Sequence, residues 1–141
     1  MKCSCSCSQW DDQRYLYASD TDNDAIWRYQ IGHNNGTVVA DGNGNGDRLN
    51  QLNTQYDAFV DQQQAVIIRP YLGTLYVSVD WNDRVTRWPK GATQSTIVTG
   101  GNGHGEVENQ LSRPDGLTFD RYDNFYVVDY GNYRVQRFSI K

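Results

Sequence analysis

Few side chains in this 141-residue chain are of types that cut, transfer or ligate, and their spacing decides which could act together. Cysteine occurs only at Cys3, Cys5 and Cys7. Three thiolates that close could clip a soft ion such as copper(I), but a tetrahedral structural zinc would lack its fourth ligand, and no distant thiol exists for a disulfide. The expectation is a frayed tail over residues 1–14. Asp20-x-Asp22-x-Asp24 opens like an EF-hand loop, yet Ala25 stands at the obligatory glycine and Ile31 at the closing glutamate. The two histidines, His33 and His104, share no nucleophile motif with a serine or cysteine. The glycine runs Gly42–Gly46 and Gly100–Gly105 are followed by no helical pattern that could cradle a phosphate. The chain therefore reads as a non-enzyme with no catalytic residue, no metal and no cofactor.

Composition narrows the partners. Acidic residues outnumber basic ones 17 to 13, for a net charge of −4, which opposes the broad basic field that duplex DNA or an anionic membrane selects. The imbalance is local: residues 1–74 carry 5 basic and 9 acidic groups, and 75–141 carry 8 of each. No apolar run approaches the ~18 residues of a membrane span, and no secretory signal is visible near Met1.

Any chemistry must be positioned by the elements between these residues, and those elements repeat. Leu16–Tyr29 (LYASDTDNDAIWRY) returns 59 residues later as Leu75–Trp88 (LYVSVDWNDRVTRW), and 50 residues after that as Phe125–Phe138 (FYVVDYGNYRVQRF). Val39–Asn53 and Val98–Ser112 agree at the same 59-residue offset, with 8 of 15 positions identical. Each unit holds short runs of β-branched and aromatic residues parted by Gly, Asn and Asp, which predicts strands and no helix. In the best copy these are Gly116–Asp120, Phe125–Asp129 and Arg134–Phe138, with Thr96–Val98 supplying a fourth type in the unit before. Asn34-Asn35-Gly36 and Lys90-Gly91 offer the positive φ that tight hairpins need, so the Asn35-Gly36-Thr37 sequon reads as a turn. Four short strands per ~40 to 50 residues predict an all-β chain of β-propeller blades, each a four-stranded antiparallel meander.

The stretch Pro114–Phe138, with its Pro-x-Gly-Leu-x-Phe-Asp, Asn-Phe-Tyr-Val-Val-Asp and Asn-x-Arg-Val-x-Arg-Phe segments, resembles the NHL repeat. The resemblance extends over roughly Leu16–Ser139, with repeat cores at 16–29, 75–88 and 125–138 inside a region 15–141. Two copies depart from the pattern: the second places its carboxylate one position late, at Val79-Asp80, and the first has Ala25 where Arg84 and Arg134 stand. Residues 58–74 read as a truncated blade, with Ala65–Tyr71 starting a strand that Pro70 breaks. The chain is expected to start at a second strand and stop after a third, giving about two and a half blades in an incomplete ring.

The resemblance implies a non-catalytic binding or scaffold module that recognises a protein, peptide or glycan through its blade loops. It also implies alternatives. One is an RNA-binding domain, or the substrate-recognition part of a ubiquitin ligase, with Trp81, Arg84, Arg87, Tyr133 and Arg134 stacking on and clamping bases. Another is a metal-dependent propeller lyase, for which no blade repeats a histidine. A third is a non-functional fragment of a longer protein. In a meander, the loops from strand two to three and those between blades emerge on one side, which gathers Asp80, Trp81, Asn82, Asp129, Tyr130, Asn132, His104, Glu106 and Arg113 as the candidate binding face. Trp81 either joins that face or packs between blades. Arg28, Arg87 and Arg137 recur at one strand position and read as structural ion pairs or stacked side chains. An incomplete ring leaves apolar faces bare, so self-association is expected.

Overall fold

In the computed structural model, which describes residues 5–10, 14–41, 43–60, 73–122 and 124–139, alternating short runs become eleven strands in three antiparallel sheets. The first sheet contains β1 (Cys5–Trp10), β2 (Tyr15–Asp20), β3 (Ala25–Gln30) and β4 (Gly36–Asp41). The second contains β5 (Gln55–Val60), β6 (Leu75–Val79), β7 (Arg84–Trp88) and β8 (Thr96–Gly100). The third contains β9 (Pro114–Phe119), β10 (Asn124–Asp129) and β11 (Arg134–Ser139). Each sheet runs in sequence order, so each is a meander, and β5 packs between β1 and β9 where successive sheets meet. The fold is all-β and propeller-like. The helical turns among the described residues are two short 3₁₀ segments, Asp80–Asn82 and Tyr130–Asn132.

The registers repeat as the sequence does. Tyr17↔Arg28 and Ser19↔Ile26 in the first sheet correspond to Tyr76↔Arg87 and Ser78↔Val85 in the second, and to Tyr126↔Arg137 and Val128↔Val135 in the third. The turn from second to third strand ends on a left-handed residue each time: Asp24, Asp83 and Tyr133 at φ 49°, 46° and 52°. Aspartate accepts that conformation readily, whereas a tyrosine there is unusual.

Two cores follow, one at each junction. Tyr17, Ile26 and Ala40 of the first sheet meet Leu75, Val77, Val79 and Trp88 of the second, and Tyr76 and Val85 of the second meet Leu117, Phe125 and Val127 of the third. Leu52 and Leu111, on the connecting loops, wedge into their respective cores at 0% exposure, and each contributes about 1.5–3 kcal/mol by leaving water. Gly100 has φ 75°, and a Cβ there would run into the Asp83 carbonyl.

The strand count differs from expectation at both ends. The segment expected as a tail supplies β1, which pairs with β2 through Trp10↔Leu16, Gln9↔Tyr17 and Ser8↔Ala18. The first sheet therefore starts at a first strand, and two four-stranded sheets plus one three-stranded sheet replace two and a half blades. The pairing uses backbone groups on the open edge of β2, which a Cys/Ser-rich stretch satisfies without any apolar alternation to announce it. Of the segment read as a truncated blade, Ala58–Val60 belongs to β5 and pairs with β6. Residues 61–72, including the strand expected from Ala65, lie outside the described residues.

Candidate functional site at the loop end of the blades

The loop end is built from braces that recur at both junctions. Arg84 starts β7 and, although only 5% exposed, reaches the connecting loop to donate to the carbonyls of Asp47, Arg48 and Gln51 at 2.6, 3.0 and 3.4 Å. Arg134 does the same one sheet later, donating to Glu106, Val107 and Gln110 at 2.7, 3.3 and 3.2 Å. Asn82 and Asn132 donate to the carbonyls of Gly46 and Gly105 at 2.8 and 2.7 Å. The carboxylates of Asp24 and Asp83 accept the backbone N–H groups of Thr54 and Arg113 at 2.9 and 2.8 Å. Thr54 and Arg113 both have left-handed φ, 49° and 52°, an outlier for a β-branched residue, and the carboxylate bond helps hold it.

One difference between the junctions has electrostatic consequences. Asp129 is fully buried and accepts from Ser112 N–H, Asn132, Arg134 Nε and Gln136 at 2.7, 2.9, 2.7 and 3.1 Å. Burial pushes its carboxyl up, but those hydrogen bonds together outweigh burial and hold it below its ordinary value. Val79 occupies the matching position in the second sheet, and there Arg84 Nε is buried without an acceptor. Burial pulls the Arg84 guanidinium down from its usual value, with Asp47 opposing.

The nine residues expected on one face divide in two. Asp80, Asn82, Asp129 and Asn132 serve the braces or lie beneath them. Trp81 is 71% and Tyr130 56% exposed, so Trp81 faces solvent and does not pack between sheets. The Arg113 side chain, 54% exposed, lies over the Tyr130 ring with its guanidinium 5.8 Å from the centroid. Its Nε reaches Asp80 at 3.3 Å. Asp80 itself is 2% exposed with its Oδ2 unpartnered. Burial raises its carboxyl, Arg113 counters, and Asp83 and Asp115 add to the rise. His104 and Glu106 are exposed on the connecting loop.

Tertiary structure also assembles a constellation that no motif signalled. His104 Nδ1 lies 3.3 Å from Asp83 Oδ1, and its Nε2 lies 3.2 Å from Ser112 Oγ, the order of a nucleophile, base and orienter. Ser112 is 2% exposed, however, and packs so tightly beneath Gly131 that a Cβ there would collide with its hydroxyl. At the preceding junction Asn45 donates to Asn53 at 2.7 Å from the same two positions, while Asp24 stands at the position of Asp83. The serine–histidine contact is thus the third-sheet version of a loop brace. The carboxylates of the Asp20–Asp24 stretch are likewise engaged: Asp20 accepts from Asn23 and Asp24 from Thr54. Cys3 lies outside the described residues, and Cys5 and Cys7 lie in β1.

The recurring Arg28, Arg87 and Arg137 make different contacts from sheet to sheet. Arg28 lies 4.7 Å over the Tyr15 ring, Arg87 donates to Thr96 Oγ1 at 2.8 Å, and Arg137 is exposed. Arg84 and Arg134, proposed to clamp bases, have their guanidinium groups committed to loop carbonyls. An open groove, lined by Ile97, Val98, Val107, Glu108 and Phe138 among others, separates β8 from β11.

Comparison with known proteins agrees with this architecture. Residues 111–138 match the model of the NHL repeat. An auxiliary nutrient binding protein from Bacteroides thetaiotaomicron superposes with a TM-score of 0.72 at 16% identity, covering 92% of this chain and 36% of that one. A candidate phosphatase from the same organism gives 0.66 at 17% identity, covering 95% and 34%. The chain thus spans about a third of the length of these structures, and the likeness is one of fold. No curated protein matches the chain.

Proposed function

We propose that the chain is a non-catalytic binding module whose loop end captures a protein or peptide segment. The observation that carries this reading is the Arg113 guanidinium over the exposed Tyr130 ring, with its Nε on Asp80, the chain neighbour of exposed Trp81, above a base of cross-braced loops. Large rigid aromatics beside an arginine supply contact area and directed hydrogen bonds at little entropic cost, the composition typical of interface hot spots. His104 and Glu106 extend the patch, and Asp80, Asn82, Asp129 and Asn132 keep its loops in place. An RNA reading retains Trp81 and Tyr133 for stacking but loses Arg84 and Arg134, and the acidic balance opposes it further.

Peptide-display selection against the purified chain, followed by calorimetry, tests the reading. Selected peptides should bind wild type and lose at least ten-fold in affinity to Trp81→Ala or Arg113→Ala, with melting temperatures unchanged for Trp81→Ala. Peptides that bind both variants as tightly as wild type would overturn it, and preferential capture on a glycan array would redirect it to sugars. For the faces of the first and third sheets, we propose a second copy of the chain as partner.

A further inference from the structure

The sheets present two faces in turn, and both junctions use them identically. The face toward the next sheet carries the pair Ser19↔Ile26 in the first sheet and Ser78↔Val85 in the second, all four residues 0% exposed. Ser78 Oγ donates to the Asp115 carbonyl of the sheet that covers it, at 2.7 Å. In the third sheet the same pair is Val128↔Val135, at 39% and 63% exposure. The opposite face carries Leu75, Thr86 and Trp88 in the second sheet, all buried. In the first sheet the matching Leu16, Trp27 and Tyr29 are half-buried, Trp27 and Tyr29 stack at 6.2 Å, and Trp27 Nε1 has no partner.

The substitutions at these two faces point to the occupant. Each internal junction is pinned to its connecting loop by a left-handed aspartate on the earlier sheet and by an arginine and an asparagine on the later one. The third sheet replaces that aspartate with Tyr133, 94% exposed, and the first replaces that arginine with Ala25. The third sheet also replaces the hydrogen-bonding serine with Val128, while the first keeps the asparagine as Asn23, which donates to Asp20. The aspartate and arginine braces are thus missing while the apolar contact residues remain, which is the chemistry of a junction between separate chains. The faces are halves of a single junction type, so they fit each other head to tail, a contact that forms a ring when the rotation closes. Propellers hold about four to eight blades, and the three sheets of the described residues taken from two copies make six, within that range.

We propose that two copies of this chain close head to tail into a six-sheet ring, the Val128–Val135 face of each covering the Trp27–Tyr29 face of the other. This rests on the self-association proposed above. Sedimentation velocity over a concentration series should show a species of twice the 16.1 kDa chain mass. Val135→Glu alone and Trp27→Lys alone should each raise its dissociation constant at least ten-fold without changing the circular dichroism, and an equimolar mixture of the two should restore it, because one of its two junctions is native and the other pairs Glu with Lys. Tyr122→Glu, an exposed turn substitution, should leave assembly intact. If Trp27→Lys does not fold, Val135→Glu set beside Tyr122→Glu reads the same junction from its other side. A wild-type chain that stays monomeric overturns the association itself. A two-copy species that survives Val135→Glu overturns the assignment of faces alone, and open-ended growth overturns the ring.

Discussion

Replacing Asp129 with valine makes the third sheet copy the second, where Val79 already stands, so the protein supplies its own reference for the change. The carboxylate is fully buried and accepts four hydrogen bonds. The Ser112 N–H loses its side-chain acceptor in a 2% exposed residue, at about 2 kcal/mol for a buried donor left unpaired. Arg134 loses its Nε acceptor but keeps three loop carbonyls and is 31% exposed, so water takes part of the load and the loss is about 1 kcal/mol. Asn132 and Gln136 retain the Gly105 and Gln110 carbonyls, which limits their joint loss to about 1 kcal/mol. The valine returns about 1.5 kcal/mol through apolar burial. The net destabilisation is about 2.5 kcal/mol, or about 10 °C in melting temperature for a chain of this size. The loss also carries a pH signature. Because the folded carboxyl is held below its ordinary value, its stabilisation is fully present above the unfolded value of about 3.9 and disappears as pH falls through the folded one. Urea melts of both proteins should therefore differ most near neutrality and converge below that carboxylate range. A gap under about 0.5 kcal/mol at pH 7, inside the range of neutral surface substitutions, would refute the assignment of Asp129 as the anchor of this brace. So would a gap that persists unchanged into acid.

Other predictions follow from the same geometry. Asp80→Asn should be more stable than wild type at neutral pH, since a carboxyl raised by burial costs the folded state once pH passes its unfolded value; the advantage should vanish in acid, as urea melts across pH will show. Ser112→Ala and His104→Ala should each lower stability by about 1 kcal/mol while leaving background hydrolysis of p-nitrophenyl acetate unchanged, whereas an activity lost in both would make the constellation catalytic. Trp81→Ala should shift stability by less than about 0.5 kcal/mol in thermal melts, because its ring is exposed. Arg84→Met should loosen the 47–51 loop, raising hydrogen exchange there about ten-fold if the three carbonyl contacts are worth about 1.4 kcal/mol.

Periodicity along the chain was enough to determine the repeat, the all-β class, the positions of β6, β7, β10 and β11, and the side of each blade on which loops collect, because alternation and turn chemistry are local properties of a strand. The 59-residue offset also carried β5, since Gln55–Val60 stands in register with Pro114–Phe119, but Gln55, Tyr56 and Asp57 hid it by departing from the Pro-x-Gly pattern. β1 was illegible, because a strand formed by pairing with an existing edge needs only backbone donors and acceptors. The site divided along the same line. Within the candidate face the bracing members are aspartates and asparagines and the exposed ones include the aromatics, the reverse of what polarity alone suggests, and only the approach of a loop 17–37 residues away decided that Asp129, Asn82 and Arg84 hold the scaffold while Trp81 and Tyr130 meet solvent. The Ser112–His104–Asp83 contact shows why such distinctions belong to tertiary structure. Its residues lie 21 and 8 apart, too far for any local pattern to bring together, and their meaning comes from Asn45 and Asn53 occupying the same places one sheet earlier.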